Sequence, residues 1–552
     1  MKSIILRFPN GKELDSEAGK TPADFLAGFD QEKDAIFAVK FNNELTPLGK
    51  RLMVSGSLEP VLKETREGSA VYRESLRFVL SASCHALFPG AKLLIGHSLG
   101  YSYYYTLEKP EGTPLASEDI QKINSEMRRI VKADYPITQE VISYAEACAL
   151  FESLGLTASR EELRYICPPL INVNTMEGFS ELYFGPLAAS TGTLALFDIR
   201  PYDEGFLLRY PSTIRPDQVA PFEDIPKLFA VYKHHKQWGK RLGVTSAASL
   251  NRLINERTAK DFVDIAELLQ QNHFADIARQ IASRDKVKLV LIAGPSSSGK
   301  TTSSKKLSLQ LRASGFQPKV IELDSYYVGR AHTPRDEKGD YDYECLEALD
   351  VAQLGKDLDV LFSGGEIKVP SYDFVEGARF YTGAVMRLGP EDILILEGIH
   401  GLNDRLTPGV SRDYKFKLYL SAITQLNLDD HNRIPTSDNR LIRRIVRDSQ
   451  FRGKTASDTI KMWDNVQKGE RLHIFPFQNN ADAILNTALD YELAVLKVYA
   501  DPLLKCVTPF EPEYAEASRL LHFLNNFLPI SSQLVPGKSI IREFIGGSDF
   551  SY

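Results

Sequence analysis

Short alternating runs open this chain, and helical spacing takes over after about residue 66. IILRF and KEL flank Pro9-Asn10-Gly11, where Asn-Gly is expected to supply the positive φ angles of a tight hairpin. Thr21-Pro22 reads as a helix cap followed by the first helical residue, and AIFAVKF returns to strand before an Asn42-Asn43 turn. Tyr72, Leu76, Val79, Leu80 and Leu87 then recur on one helical face. Ile120, Ile123, Met127, Ile130 and Val131 do the same behind a candidate cap at Ser117. Ser143 and Glu146 have the spacing of a capping box for YAEACALFESLG. Residues 216–285 read as a largely helical connector, and from 286 onward buried-strand runs alternate with helices, the pattern of a parallel sheet.

A length of 552 residues exceeds what one core supports and suggests three or four domains. With 43% hydrophobic and 25% charged residues the composition is that of an ordinary globular protein. A net charge of −6 gives no global attraction to nucleic acid or anionic membrane, so any polyanion must be met locally. One local basic run, KHHKQWGKR at 233–241, fits either an RNA or phosphate contact or a solvated helix face with Trp238 packed inward. Five scattered cysteines without CxxC spacing argue against a disulfide framework or zinc knuckle and for a reducing compartment. The start MKSIILRFPNGKEL lacks an apolar signal core, and no long apolar run occurs. A cytoplasmic protein without membrane association is expected.

The chemistry-bearing stretch is GPSSSGKTT. Gly294 to Thr301 matches GxxxxGK[ST], with the strand-like VKLVLIA before it and a helical run after it. Backbone N–H groups of Gly294, Ser296, Ser297, Ser298, Gly299 and Thr302 are expected to face phosphates, since a helix N-terminus carries unpaired donors and a positive dipole. Lys300 is expected at the β- and γ-phosphates and the Thr301 hydroxyl at Mg²⁺. KVIELDSYY delivers Asp324 to the carboxyl end of the next strand, where it can accept a hydroxyl proton and help hold the metal. DILILEGIHGL places Glu397 likewise, as an acid orienting magnesium-bound water. RLIRRIVRD sets Arg440, Arg443, Arg444 and Arg447 on one helical stripe with few acids nearby in sequence, as expected of a lid closing over a transferring phosphoryl group.

In this order GPSSSGKTT, LDSYY, YECLEALD, PSYDF, LEGIHGL and RLIRRIVRD resemble the uridine kinase and phosphoribulokinase family over about 286–490. The resemblance implies a P-loop α/β domain that transfers the ATP γ-phosphate to a primary hydroxyl, with Asp324 as base. It implies Tyr327, Glu344, Tyr372 and Arg440 around the acceptor, Arg443 at the phosphoryl group, and Arg444 and Arg447 on ATP. Two positions depart from the uridine kinase pattern: Glu344 replaces an Asp that grips the ribose hydroxyls, and Gly377 stands where a base-contacting His is expected. The ribose is therefore better specified than the base. A homo-oligomer is also implied.

Residues 1–62 resemble a TGS domain, a β-grasp fold. Residues 63–215 resemble the α+β editing domain of threonyl-tRNA synthetases, through YRESLRFVLSASCHALFPGAKLLIGHSLGYSYYYTL and ELYFGPLAASTG. Glu74, Phe78, Tyr183 and Leu187 fall where that domain keeps its two His, its Cys and its further His, so no editing chemistry is expected. A helical extension, 491–552, carries no assigned chemistry. Three readings stay open: a nucleoside kinase using ATP and Mg²⁺, a sugar-phosphate kinase supported by His400 with Arg330, Arg335 and Lys338, and an RNA-binding protein with a nucleotide switch.

Overall fold

A computed structural model describes residues 2–551 except 336, 338, 340, 374 and 375. Lys338 and Phe374, singled out above, thus lie outside the described residues. Strands β1 (Ser3–Arg7), β2 (Glu13–Glu17), β3 (Ile36–Phe41), β4 (Glu44–Thr46) and β5 (Gly56–Leu62) form one sheet in the order β2-β1-β5-β3-β4. Its central pair, β1 and β5, is parallel, and the other pairs are antiparallel. The Asn42-Asn43 turn has both φ angles positive, whereas at the first hairpin only Gly11 does, not Asn10. That turn closes instead through Gly11 N–H donating to the Phe8 carbonyl. The segment after Thr21 is a 3₁₀ helix, Pro22–Gly28, with Asp24 accepting from the Thr21 amide.

The next unit packs α1 (Arg66–Leu87) and α2 (Ser117–Ala133) against a four-stranded antiparallel sheet. That sheet contains β6 (Lys92–Ser98), β7 (Ser102–Glu108), β11 (Asp198–Tyr202) and β12 (Gly205–Arg209). A second sheet, β8 (Thr138–Ser143), β9 (Leu170–Met176) and β10 (Phe179–Glu181), carries α3 (Tyr144–Ser153) and α4 (Thr157–Ile166). Ser143 and Glu146 form the expected reciprocal cap. Ser117 is the first helical residue of α2 rather than its cap, and Asp119 closes back on the Ala116 amide. Three helices follow, α5 (Pro226–Leu242), α6 (Ala247–Asn255) and α7 (Ala259–Ala282).

The C-terminal sheet is wholly parallel. Its strands are β13 (Leu289–Ala293), β14 (Gln317–Glu322), β17 (Asp392–Glu397), β18 (Lys415–Ser421) and β19 (Ala483–Asn486), in the order β14-β17-β13-β18-β19. β13 is buried along its whole length because helices cover both faces, which explains its unbroken apolar run. Around it lie α8 (Lys300–Ala313), α9 (Val351–Phe362), the hairpin β15 (Glu366–Asp373) with β16 (Ala378–Arg387), α10 (Thr436–Phe451) and α11 (Ala456–His473). α12 (Glu492–Leu504), α13 (Tyr514–Leu524) and the one-turn α14 (Arg542–Ile545) complete the same core, with Ile540, Ile541 and Phe544 fully buried. The chain order puts the carboxyl ends of β13, β14 and β17 side by side, where an open α/β sheet collects its ligands.

Candidate active site

The turn from β13 into α8 is built for close approach. Ser297 and Gly299 both take left-handed φ angles, +58° and +80°. A side chain at Gly294 would run into the Leu420 carbonyl, so the loop lies flat on β18. Ser297 and Ser298 are buried, and neither hydroxyl has a hydrogen-bond partner among the described residues. Orphaned donors beside the N-terminus of α8 fit an anionic phosphate chain. β14 and β17 are in register Glu322 to Glu397, and Asp324 follows in the turn after β14. The Thr301 hydroxyl donates to Glu397 Oε2 at 3.2 Å. A hydroxyl and a carboxylate set together beside a phosphate loop fit a divalent cation that takes its other ligands from phosphate and water.

The charges around this turn are coupled. Lys300 pulls down the carboxyls of Asp324, Glu344 and Glu397, so one ammonium faces three acids. Burial still prevails at each. Glu397 is pushed up to about 8, with Asp324, Glu322 and Glu543 adding repulsion. Glu344 is pushed up to about 7 by burial and then by Glu470, against Arg444 and Lys300. Asp324 opens to the cleft; the protein mass around it raises its carboxyl, opposed by Lys300, Arg452 and Arg447. A raised carboxyl facing an ammonium and two guanidiniums is suited to exchanging a proton.

Comparison with known proteins decides the class of this half. Residues 289–494 match the model of the phosphoribulokinase / uridine kinase family. The C-terminal region is a P-loop kinase domain. A structure titled as a possible uridine kinase from Bacillus stearothermophilus is 20% identical with a TM-score of 0.25, covering 40% of this chain and all of that one. The N-terminal part is similar instead to threonine–tRNA ligases. That of Symbiobacterium thermophilum is 30% identical over 207 residues, 36% of this chain and 31% of the ligase. That of Desulfovibrio desulfuricans is 36% identical over 135 residues, 24% of this chain and 21% of the ligase. The chain thus spans about a third of the length of the first of these curated relatives and about a fifth of the second.

In the kinase domain three tyrosines from separate stretches of the chain cluster together near Asp324. Tyr327 lies 5.9 Å from Tyr343 and 5.6 Å from Tyr372, ring centre to ring centre. Glu344 packs on Gly469 of α11 so tightly that a Cβ there would lie 2.5 Å from its own. Gly377 has a φ of +70°, and Arg330 fills the space a side chain would need. The Arg330 amide also donates to the Gly377 carbonyl at 2.8 Å. No L side chain fits there without displacing the arginine. Arg335 stands over Tyr341 and donates to the Gly339 carbonyl.

The arginine stripe departs from the expected lid. Arg440, Arg443 and Arg444 are 4%, 0% and 8% exposed, so the first turns of α10 lie inside the kinase core. Arg440 pairs with Glu470 of α11 and donates to the Ser296 carbonyl; Arg443 pairs with Glu492 of α12 and donates to the Ser297 and Thr487 carbonyls. Arg444 pairs with Asp448 and reaches Ser296 Oγ at 2.8 Å. In this arrangement the Arg440 and Arg443 guanidiniums, expected at the acceptor and at the phosphoryl group, are each engaged by a buried glutamate. Both grip the back of the phosphate loop, and their acids come from distant sequence. Arg447, paired with Asp448, and the more exposed Arg452 are the members whose charge reaches Asp324. Arg452, Glu470 and Glu543 were not among the expected site residues. Arg452 continues the arginine-rich helix, but nothing in the local sequence marks the two glutamates.

The front half shows the opposite treatment of a pocket. Phe78, Tyr183 and Leu187 are buried, with Phe78 and Tyr183 edge to face at 5.8 Å, and Glu74 is paired with Arg77. Against this wall docks a loop of the kinase domain between β18 and α10. Ile95 N–H donates to the Asp430 carbonyl at 3.0 Å, Asn432 Nδ2 to the Leu182 carbonyl at 3.0 Å, and Arg77 to the His431 carbonyl. His431 is also paired with the buried Glu181. The basic run on α5 is paired at the surface: Lys233 with Asp203 and Glu204, Lys240 with Glu108, while Arg241 covers the half-buried Trp238. No helix among the described residues is long and apolar enough to cross a membrane.

Proposed function

We propose that this protein is an ATP-dependent nucleoside kinase that phosphorylates the 5′-hydroxyl of a ribonucleoside, with uridine or cytidine as the first choice of acceptor. The observation that carries the reading is the cluster of Asp324, Glu397 and Glu344 around Lys300 at the mouth of the phosphate loop. Asp324 takes the proton of the attacking hydroxyl, and the cleft aromatic groups and Glu344 hold the sugar in line. Lys300, with Arg447 and Arg452 behind Asp324, offsets the charge developing on the transferring phosphoryl group. Thr301 and Glu397 would hold Mg²⁺, which supplies neutralisation of the phosphate oxygens when bound. A homo-oligomer working in the cytoplasm belongs to the same reading, as does an RNA contact through the N-terminal region.

One observation supports a second acceptor class. Arg330, seated at Gly377, brings a guanidinium to the cleft where a base-reading side chain would stand. That suits an acceptor that already carries phosphate, a sugar phosphate. Purified protein with Mg-ATP, offered each common nucleoside, ribulose 5-phosphate and a structured RNA, tests both. ADP release and product mass with a nucleoside are expected. Product only with the sugar phosphate shifts the assignment, and tight RNA binding without any ADP release overturns it.

A further inference from the structure

The last segment of the chain meets the phosphate loop directly. α8 starts at Lys300, and the amides of its first turn have no partner within the helix. One of them is already taken: the Thr302 N–H donates to Glu543 Oε2 at 3.1 Å, and the Thr302 hydroxyl donates to the same oxygen at 2.6 Å. Glu543 belongs to α14, some 240 residues further along the chain. Three other contacts hold it there. Ile540 closes on Gly299, so that a Cβ on the glycine would lie 2.6 Å from the Ile540 methyl. Phe544 lies under the Arg443 guanidinium at 5.0 Å, and Lys305 of α8 donates to the Ser551 carbonyl.

We infer that the C-terminal segment is a built-in competitor of the nucleotide, its Glu543 carboxylate holding an anion position at the start of α8 that a phosphate group needs. This rests on the proposed reading of the loop as a nucleotide site and adds regulation to it. A carboxylate at a helix N-terminus satisfies the same donors and dipole as a phosphate, and the two cannot share one N–H. A phosphate chain beside Glu543 also meets like-charge repulsion from a group that already raises Glu397. Ile540, Ile541 and Phe544 are fully buried and Glu543 only half-buried, so the glutamate is the first group of the segment to be released, and its release loosens the rest. Apparent nucleotide affinity is then the intrinsic affinity multiplied by the fraction of molecules in which Glu543 is disengaged. Whatever loosens residues 539–551 raises it.

Full-length protein is titrated with Mg-ATP by calorimetry as wild type, Glu543→Gln and Lys305→Met, and amide exchange is followed with and without nucleotide. Removing the charge is expected to tighten binding on the order of 3- to 10-fold, the relief of a self-occupied site. Lys305→Met, which loses the bond to the Ser551 carbonyl, is expected to move affinity the same way by less. In wild type, Mg-ATP is expected to protect residues 296–304 and to speed exchange at 539–551. Equal or weaker binding by Glu543→Gln, or added protection of 539–551, overturns the inference while the nucleotide site stands. If Glu543→Gln unfolds, Lys305→Met and the wild-type exchange decide by the same criteria. Absence of binding and of protection at 296–304 in every form sinks the nucleotide reading and this inference together.

Discussion

Two pockets in this chain sit in regions that resemble catalytic domains, and they differ in what their ionisable groups are doing. In the front half Phe78, Tyr183 and Leu187 fill the space, Glu74 is neutralised by Arg77, and a kinase-domain loop is seated against the wall. In the kinase domain Lys300 faces three acids with raised carboxyls, and Thr301 meets Glu397 at the cleft mouth. Reciprocal pairing marks groups that build structure, and unequal clusters left facing a cleft mark groups that wait for a ligand. The same contrast divides the arginines of α10. Arg440 and Arg443, each tied to one buried glutamate, belong with the front-half pairs, while Arg447 and Arg452 face Asp324.

Breaking the kinase side first should give the largest effect. Asp324→Asn removes the proton acceptor and is expected to lower turnover by about 10²–10⁴-fold while ATP affinity holds, checked by ADP release and calorimetry. Undiminished turnover would show that the raised carboxyl is structural. Arg443→Met comes next. It strands Glu492 in the core and should cost about 3–5 kcal/mol in urea unfolding, with most of it recovered in the double variant Arg443→Met/Glu492→Leu. A stable but inactive double variant would return Arg443 to the chemistry. On the front side, Phe78→Ala should cost about 3 kcal/mol through the cavity it leaves and should not change Mg-ATP affinity.

Local spacing made the helices, the capping box at Ser143 and the strand–loop–helix at 287–313 legible, because each depends on residues a few positions apart. Asp324 and Glu397 were legible for the same reason: both follow a buried strand directly, and parallel register brings strand ends together. The pairing of the arginines was not. Glu470 and Glu492 come from two later helices, and a stripe that looks under-neutralised along the chain is neutralised across it. Gly377 showed only an absence in the sequence, and the structure shows Arg330 in its place. The final segment carried no motif at all, since one glutamate on a four-residue helix matters only through where α14 lands.

The smallest effect is expected where the two halves meet. Burial alone would lower the His431 imidazole, but Glu181, hydrogen-bonded to it, and then Asp429 and Asp430 push it up to about 9. A histidine raised in the folded state contributes stability that is complete below its ordinary value near 6.5 and disappears as pH climbs through 9. Glu162, pushed up from 4.5 to about 9 by burial, also loses stability across that interval, because the unfolded acid ionises while the buried one stays protonated. The difference between wild type and His431→Gln therefore isolates the imidazole. Urea unfolding at pH 6.5, 8 and 9 should show the gap between the two proteins narrowing as pH increases. A constant gap would mean that the loop is held by its uncharged hydrogen bonds with Ile95 and Leu182 and not by charge, and that the front half cradles the kinase domain without sensing pH.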